Sequence, residues 1–181
     1  MVSVALAEPL TPSELPARFS LLLPVYAGDT PERLRRAVES NTVEQTRPPA
    51  EVVVVQDGPV PPELHAELER LERGCPVPVR LVRIPENHGL AHALRTALPS
   101  CSYDVVARAD ADDVAYPRRF ELQLPLIEAG ADLVGASMHE IGDDEGTPLA
   151  LRAAPVGARR IMAVSRRRNP ISHPTVVLRR S

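Results

Sequence analysis

Five short apolar runs, at residues 20–23, 52–55, 79–84, 105–107 and 133–136, are each closed by Pro, Gly, Asp or Asn, and they alternate with stretches of helical spacing. A short apolar run bounded by turn residues reads as a buried strand, and the intervening patterns at 31–40, 62–73, 89–98 and 117–129 read as helices. In the first of these, Thr30 is placed to cap, Pro31 suits the first helical position, and Leu34 with Val38 supplies an inward face. The second repeats Leu64, Leu68 and Leu71 on one side. Strand alternating with helix builds an α/β fold with a mostly parallel central sheet, flanked by helices through right-handed crossovers. Ligands of such sheets bind beyond the carboxyl ends of the strands, so those ends are where chemistry is sought.

The 181 residues suit one domain, expected over 18–181 behind an arm at 1–17 that carries Pro9, Pro12 and Pro16 without a clear period. With five aromatic residues and no Trp, aliphatic side chains must build the core. The longest purely aliphatic stretch, 52–55, is far below the roughly 20 residues of a membrane span, and the first ten residues lack the basic start of a signal peptide. Cys75 and Cys101 have neither metal-ligand spacing nor disulfide density and read as isolated thiols, which fits a reducing cytoplasm.

Charge is unevenly placed. The net −3 divides into −11 before Arg152 and eight arginines without any Asp or Glu from Arg152 onward. A basic segment of this kind attracts phosphates, anionic lipid head groups or nucleic acid, and makes peripheral contact with the inner face of a membrane an expectation. No aromatic residue lies between Arg152 and Ser181 to stack on bases, which argues against nucleic acid. Every Lys/Arg position is Arg, so lysine chemistry is excluded.

Three strand ends carry acid or turn residues: Pro24-Val25-Tyr26, Gln56-Asp57-Gly58-Pro59, and Arg108-Ala109-Asp110-Ala111-Asp112-Asp113. An isolated Asp-Gly is ordinary turn chemistry. Three carboxylates within four residues repel one another, and a divalent cation relieves that repulsion; oxygen ligands suit Mg2+ or Mn2+. The competing reading is a solvated Asx turn leading into the helix near Pro117. A calcium loop fails, with Val114 at its fifth position and Ala115 where Gly is required. The nucleophile motif of haloacid-dehalogenase-type phosphatases fits the string but belongs on a first strand with a downstream Lys, and this chain has none.

Leu21-Leu22-Leu23-Pro24-Val25-Tyr26, Val54-Val55-Gln56-Asp57-Gly58-Pro59, Asn87-His88-Gly89-Leu90-Ala91-His92-Ala93-Leu94, Arg108 to Asp113 with Pro117-Arg118-Arg119-Phe120, and Ser172-His173-Pro174-Thr175 occur in that order. Together they resemble the successive motifs of family 2 glycosyltransferases, over residues 20–180. The resemblance implies a Rossmann-like GT-A nucleotide-sugar-binding domain that transfers a sugar from a UDP- or dTDP-linked donor to an acceptor hydroxyl. It implies a Mn2+ or Mg2+ cofactor, a saccharide or lipid-linked acceptor, and a role in bacterial polysaccharide biosynthesis.

Residue by residue, the resemblance implies that Pro24 and Tyr26 border the base, Asp57 hydrogen-bonds its edge, Asp112 sits near the ribose and Asp113 holds the metal. Asp110 acts in the metal's outer shell or orients Arg108, itself a nucleotide-site candidate. Asn87, Gly89 and Leu90 close beside the nucleotide, and His173 is a candidate phosphate or acceptor contact. His65, His92 and His139 read as surface or packing residues. Ala27, Gln56 and His88 depart from the family's frequent Asn, Asp and Arg or Lys. Enzymes of the family are usually inverting and take their base from a Glu-Asp motif after the Ser172–Thr175 segment. That base is expected beyond Ser181, leaving the domain incomplete on its C-terminal side. Glu140, Asp143, Asp144 and Glu145 read instead as a hairpin turn beside Gly142 and Gly146. Two other classes stay open: a metal-dependent nucleotidyltransferase, disfavoured because Ala27-Gly28-Asp29 is no glycine-rich basic loop, and a non-catalytic nucleotide-sugar-binding domain.

Overall fold

The computed structural model describes residues 18–142 and 148–180; the arm expected at 1–17 and the acidic residues Asp143, Asp144 and Glu145 lie outside them. The first half runs β1 (Phe19–Val25), α1 (Pro31–Asn41), β2 (Glu51–Asp57), α2 (Pro62–Gly74), β3 (Val79–Ile84), α3 (Leu90–Ala97) and β4 (Val105–Arg108). After it come α4 (Arg119–Glu128), β5 (Leu133–Val134), β6 (Met138–Ile141), β7 (Pro148–Arg152), α5 (Ala158–Ser165) and β8 (Val177–Arg179).

The main sheet has the order β3-β2-β1-β4-β8-β5. Strands β1 to β4 pair in parallel, and β8 inserts antiparallel between β4 and β5. The chain therefore winds outward from β1 through β2 to β3, then returns to place β4 on the other side of β1. That reversal opens a crevice at the carboxyl ends of β1 and β4, the usual ligand position in open α/β sheets.

Alternation along the strands sorts the core onto two faces. Leu21, Leu23, Val52, Val54 and Ala107 meet Leu34 and Val38 of α1, Leu64 and Leu68 of α2, and Phe120 and Leu124 of α4. Leu22, Val53, Val55 and Val106 meet Ala93 and Ala97 of α3. Both phenylalanines are in the first cluster, with Phe19 and Phe120 ring centroids 4.7 Å apart. Each such fully buried side chain contributes about 1.5–3 kcal/mol.

The start of α1 is built as its sequence predicts, with Thr30 Oγ1 accepting the Arg33 N–H at 3.3 Å. The C-terminal half departs more. The run at 133–136 pairs only at Leu133 and Val134, because the Ala136 N–H is taken by Thr175 Oγ1 at 2.9 Å. Strand β8 was not anticipated; its short apolar content is buried only because β4 and β5 flank it. Strands β6 and β7 pair antiparallel as a separate two-stranded sheet, which places Glu140 within β6 and not in the turn expected beside Gly142; the rest of that turn, with Gly146, lies outside the described residues.

Candidate functional site

The segments that follow β1, β2, β3 and β4 surround a cavity of about 410 Å3. Its walls include Pro24, Tyr26, Asp57, Asn87, Gly89, Leu90, Asp110 and Asp112. All eight are residues singled out from the sequence, and the fold brings them to one place. The volume falls in the usual range for small-molecule sites, roughly 300–1,000 Å3.

Each wall has a local cause. After β1 the chain makes a tight turn in which Asp29 Oδ2 accepts the Tyr26 N–H at 2.9 Å and the Asp29 N–H donates to the Tyr26 carbonyl at 3.1 Å. The turn leaves the Tyr26 ring half-exposed on the cavity rim. After β2, the buried Asp57 carboxylate accepts two backbone N–H groups, from His88 at 3.0 Å and Gly89 at 2.8 Å. Asn87 Nδ2 donates back to the Asp57 carbonyl at 3.2 Å. Gly58 permits this closeness: its φ is +83°, and a Cβ there would lie 2.7 Å from the Asn87 nitrogen. Asp57 thus braces the loop that closes beside the cavity, in addition to facing it.

The acidic run after β4 is differentiated by its partners. Arg108 Nη2 donates to both carboxylate oxygens of Asp110, at 2.7 and 3.1 Å, as the sequence reading anticipated for this pair. Arg108 Nε is buried without a hydrogen-bond partner among the described residues. Burial raises the Asp110 carboxyl despite Arg108, and burial together with the neighbouring Asp112 and Asp110 lifts Asp113 to about 6. Asp29 is raised as well, by burial and then by Asp112 and Asp110, against its bond from Tyr26. Of these four carboxylates, Asp29 and Asp110 accept hydrogen bonds; the side chains of Asp112 and Asp113 make none with the described residues.

Among the described residues no three His, Cys, Asp or Glu side chains gather as a ready ligand shell. Mg2+ and similar ions use one or two carboxylates plus substrate phosphates, so Asp112 and Asp113, unbonded and mutually repelling, fit that demand.

The other candidates fall elsewhere. Asp113 faces away from the first cavity into a second one of about 400 Å3. Arg108 reaches the site through Asp110 and is not part of the wall. His173 opens a short 3-10 turn, bonds Asn169 and lines neither cavity, whereas Pro174 and Thr175 line the second. Arg119 fastens the region from beneath. Its guanidinium donates to Asn41 Oδ1 at 3.0 Å, the Arg108 carbonyl at 2.6 Å, the Pro174 carbonyl at 2.9 Å and Gln123 Oε1 at 3.2 Å. Burial lowers its pKa to about 10 against the pull of Asp113 and Asp110.

Sequence reasoning missed Asp29 and Arg33, which line the first cavity, and Tyr116 and His139, which line the second. Asp29 stood in a loop with no acidic neighbour to mark it. His139 was read as surface or packing; it is exposed, but Tyr116 Oη lies 2.9 Å from its Nδ1. His92 lies ring-to-ring with His88 at 4.8 Å, and His65 pairs with Glu69 at 3.3 Å, both outside the cavities.

Residues 20–180 match the family model described as Glycosyl transferase family 2. An uncharacterized glycosyltransferase of Haemophilus influenzae is 37% identical over 166 residues, covering 91% of this chain and 61% of that protein. The amylovoran biosynthesis glycosyltransferase AmsE of Erwinia amylovora is 35% identical, over 90% of this chain and 60% of its own length. The Escherichia coli UDP-Gal:alpha-D-GlcNAc-diphosphoundecaprenol beta-1,3-galactosyltransferase is 29% identical, over 90% and 58%. The chain spans about three fifths of the length of these curated relatives. Among solved structures, S. aureus TarS 1-349 in complex with UDP-GlcNAc superposes with a TM-score of 0.62 at 18% identity, over 90% of this chain and 45% of that one. The mannosyltransferase PcManGT of Pyrobaculum calidifontis, in complex with GDP-Man and Mn2+, gives 0.51 at 24% identity, over 71% and 36%. At these identities the structural likeness establishes the fold, the GT-A type with its mostly parallel sheet flanked by helices.

Proposed function

The chain belongs to glycosyl transferase family 2, and from that premise we propose that its first cavity binds a nucleoside-diphosphate sugar, UDP- or dTDP-linked, for transfer to an acceptor hydroxyl. The observation that carries this reading is the convergence of Tyr26, Asp57, Asn87 and Gly89 with Asp110 and Asp112 on one cavity at the switch point of the sheet. UDP-GlcNAc and GDP-Man in the complexes of the two structural neighbours support a sugar nucleotide as ligand class.

In this reading Pro24 and Tyr26 border the base, and Asp57 offers its remaining carboxylate lone pairs to the base edge while bracing Asn87 and Gly89. Asp112 accepts from the ribose, and Arg33 brings positive charge to the wall where the diphosphate passes. Asp113, with Asp112, holds a divalent cation, and Asp110 keeps Arg108 in place behind it. When bound, Mn2+ or Mg2+ neutralises charge on the departing diphosphate. His173, near enough to Asp110 to act on its carboxyl, is the candidate phosphate or acceptor contact.

Transfer by an inverting enzyme also needs a carboxylate base for the acceptor proton. The Glu140 carboxylate pairs with Arg152 across the β6–β7 hairpin, which disfavours it for that role. The acceptor is a saccharide or a lipid-linked saccharide, as the printed name of the E. coli relative describes for that protein. Among the described residues no helix is long and apolar enough to cross a membrane. Contact with a cytoplasmic membrane face would instead run through the exposed Arg159, Arg160, Arg166, Arg167 and Arg168.

The test is a thermal-shift screen with Mn2+ against UDP, dTDP, GDP and ADP. Stabilisation by at least one diphosphate is expected, with UDP or dTDP foremost; no stabilisation by any of the four overturns the reading.

A further inference from the structure

Asp112 and Asp113 are consecutive residues, yet their side chains line different cavities. Asp110 and Asp112 face the first cavity, whereas Asp113 faces the second, so the acidic run is the partition between two hollows of similar volume, about 410 and 400 Å3. A nucleoside-diphosphate sugar carries its base at one end and its sugar at the other, with the diphosphate between. If the base occupies the hollow of Tyr26 and Asp57, and the diphosphate spans the carboxylates of the partition, the sugar emerges beyond Asp113.

The second hollow has the chemistry for a hydroxylated ring. Tyr116, in the loop after the acidic run, and His139, on β6, stand edge to face with centroids 5.9 Å apart at 78°, joined through Tyr116 Oη and His139 Nδ1. An aromatic face suits the C–H side of a pyranose, and a few fixed polar groups beside it suit the hydroxyls. With Nδ1 engaged by Tyr116, His139 keeps Nε2 for such a hydroxyl. Ser137 Oγ accepts the Ala154 N–H at 3.1 Å, which leaves its own O–H to donate into the same space. Met138 and Leu122 complete an apolar wall.

We propose that Tyr116 and His139 are specificity-determining residues that read the sugar of the donor in this second cavity. The proposal rests on the reading of the first cavity as the nucleotide site. It goes further in assigning to the β6–β7 hairpin, the part of the fold not fastened into the main sheet, a share in choosing the sugar.

The experiment is calorimetry with Mn2+ of the wild-type chain, Tyr116→Ala and His139→Ala, each against UDP and against UDP-galactose and UDP-N-acetylglucosamine, with dTDP and dTDP-glucose in parallel. Wild type is expected to bind at least one sugar nucleotide more tightly than its parent diphosphate. Both variants are expected to keep the parent affinity, which also shows that they are folded, while losing the sugar's increment by about tenfold, the loss of one good hydrogen bond or ring contact. Unchanged discrimination in both variants overturns the proposal, as does a wild type that binds every sugar nucleotide no better than its diphosphate. Failure of wild type to bind any diphosphate overturns the first-cavity reading itself, and so separates the two failures.

Discussion

Asp57 and Gly89 lie 32 positions apart in sequence, yet the Gly89 N–H donates to Asp57 Oδ2 at 2.8 Å, with the His88 N–H on the other oxygen at 3.0 Å. A side chain at the end of one strand thereby sets the entry to the helix that follows the next. Asp57→Ala leaves both N–H groups without their acceptor at a largely buried position, a cost of about 1–3 kcal/mol. The expected outcome is a lower melting temperature together with weaker diphosphate binding, because the loop of Asn87 and Gly89 loses its brace. A variant that melts with wild type and binds UDP equally well would remove Asp57 from both roles.

On the opposite face of the sheet, where α1 and α2 pack, a buried carboxylate has a structural task. Glu67 on α2 accepts from Arg70 at 2.9 and 2.6 Å and from Arg35 at 3.1 and 2.9 Å. Burial pushes its carboxyl up, but the hydrogen bonds from Arg70 and Arg35 outweigh burial and hold it at about 2, below the ordinary 4.5. A carboxyl depressed in the folded state stabilises above its unfolded pKa, and that contribution fades as pH falls from about 4.5 toward 2. Glu67→Gln is therefore expected to cost about 1–2 kcal/mol at pH 7. The gap in melting temperature from wild type should narrow steadily in acid; a gap independent of pH would contradict the assignment.

Asp113 has the opposite sign. Its folded pKa is raised, to about 6 against 3.8, by burial and by Asp112 and Asp110. Its favourable contribution to the metal-free protein is present below the unfolded value and lost as pH rises through about 6. In EDTA at pH 7, Asp113→Asn should melt above wild type, and the advantage should disappear in acid below the unfolded value. A variant that melts lower than wild type at pH 7 in EDTA would show that the carboxylate is satisfied without a cation.

How much of this was legible in the sequence depends on where the burial comes from. Strands β1 to β4 carry their own signal, because Leu21 to Leu23 and Val52 to Val55 must be buried on both faces whatever their neighbours are. Thr30 and Pro31 mark the start of α1 for equally local reasons. Strand β8 has three residues, and its place between β4 and β5 is decided by distant pairing partners: Val177 faces Ala107, 70 positions earlier, and Val134, 43 positions earlier, which no local pattern encodes.

The site divides the same way. Asp57, Asp110, Asp112 and Asp113 announce themselves by ending apolar runs. Asp29 belongs to the site because the β1 turn folds it toward Asp110 and Asp112, and His139 because a hairpin brings it to Tyr116; both are tertiary facts. Sequence also could not show that neighbouring Asp112 and Asp113 would face different cavities.

The most direct test of the account is calorimetric titration of UDP, or of whichever diphosphate the screen selects, into the wild-type chain with Mn2+ and again with EDTA. The account holds that the carboxylates of Asp112 and Asp113 repel the diphosphate until a cation bridges them. Binding is therefore expected with Mn2+, to be weakened at least tenfold by EDTA, and to lose its metal dependence in Asp113→Ala. It should also weaken as pH drops through about 6, where a proton takes the cation's place on Asp113. Equal affinity with Mn2+ and with EDTA would contradict the account and return the acidic run to the role of a solvated turn.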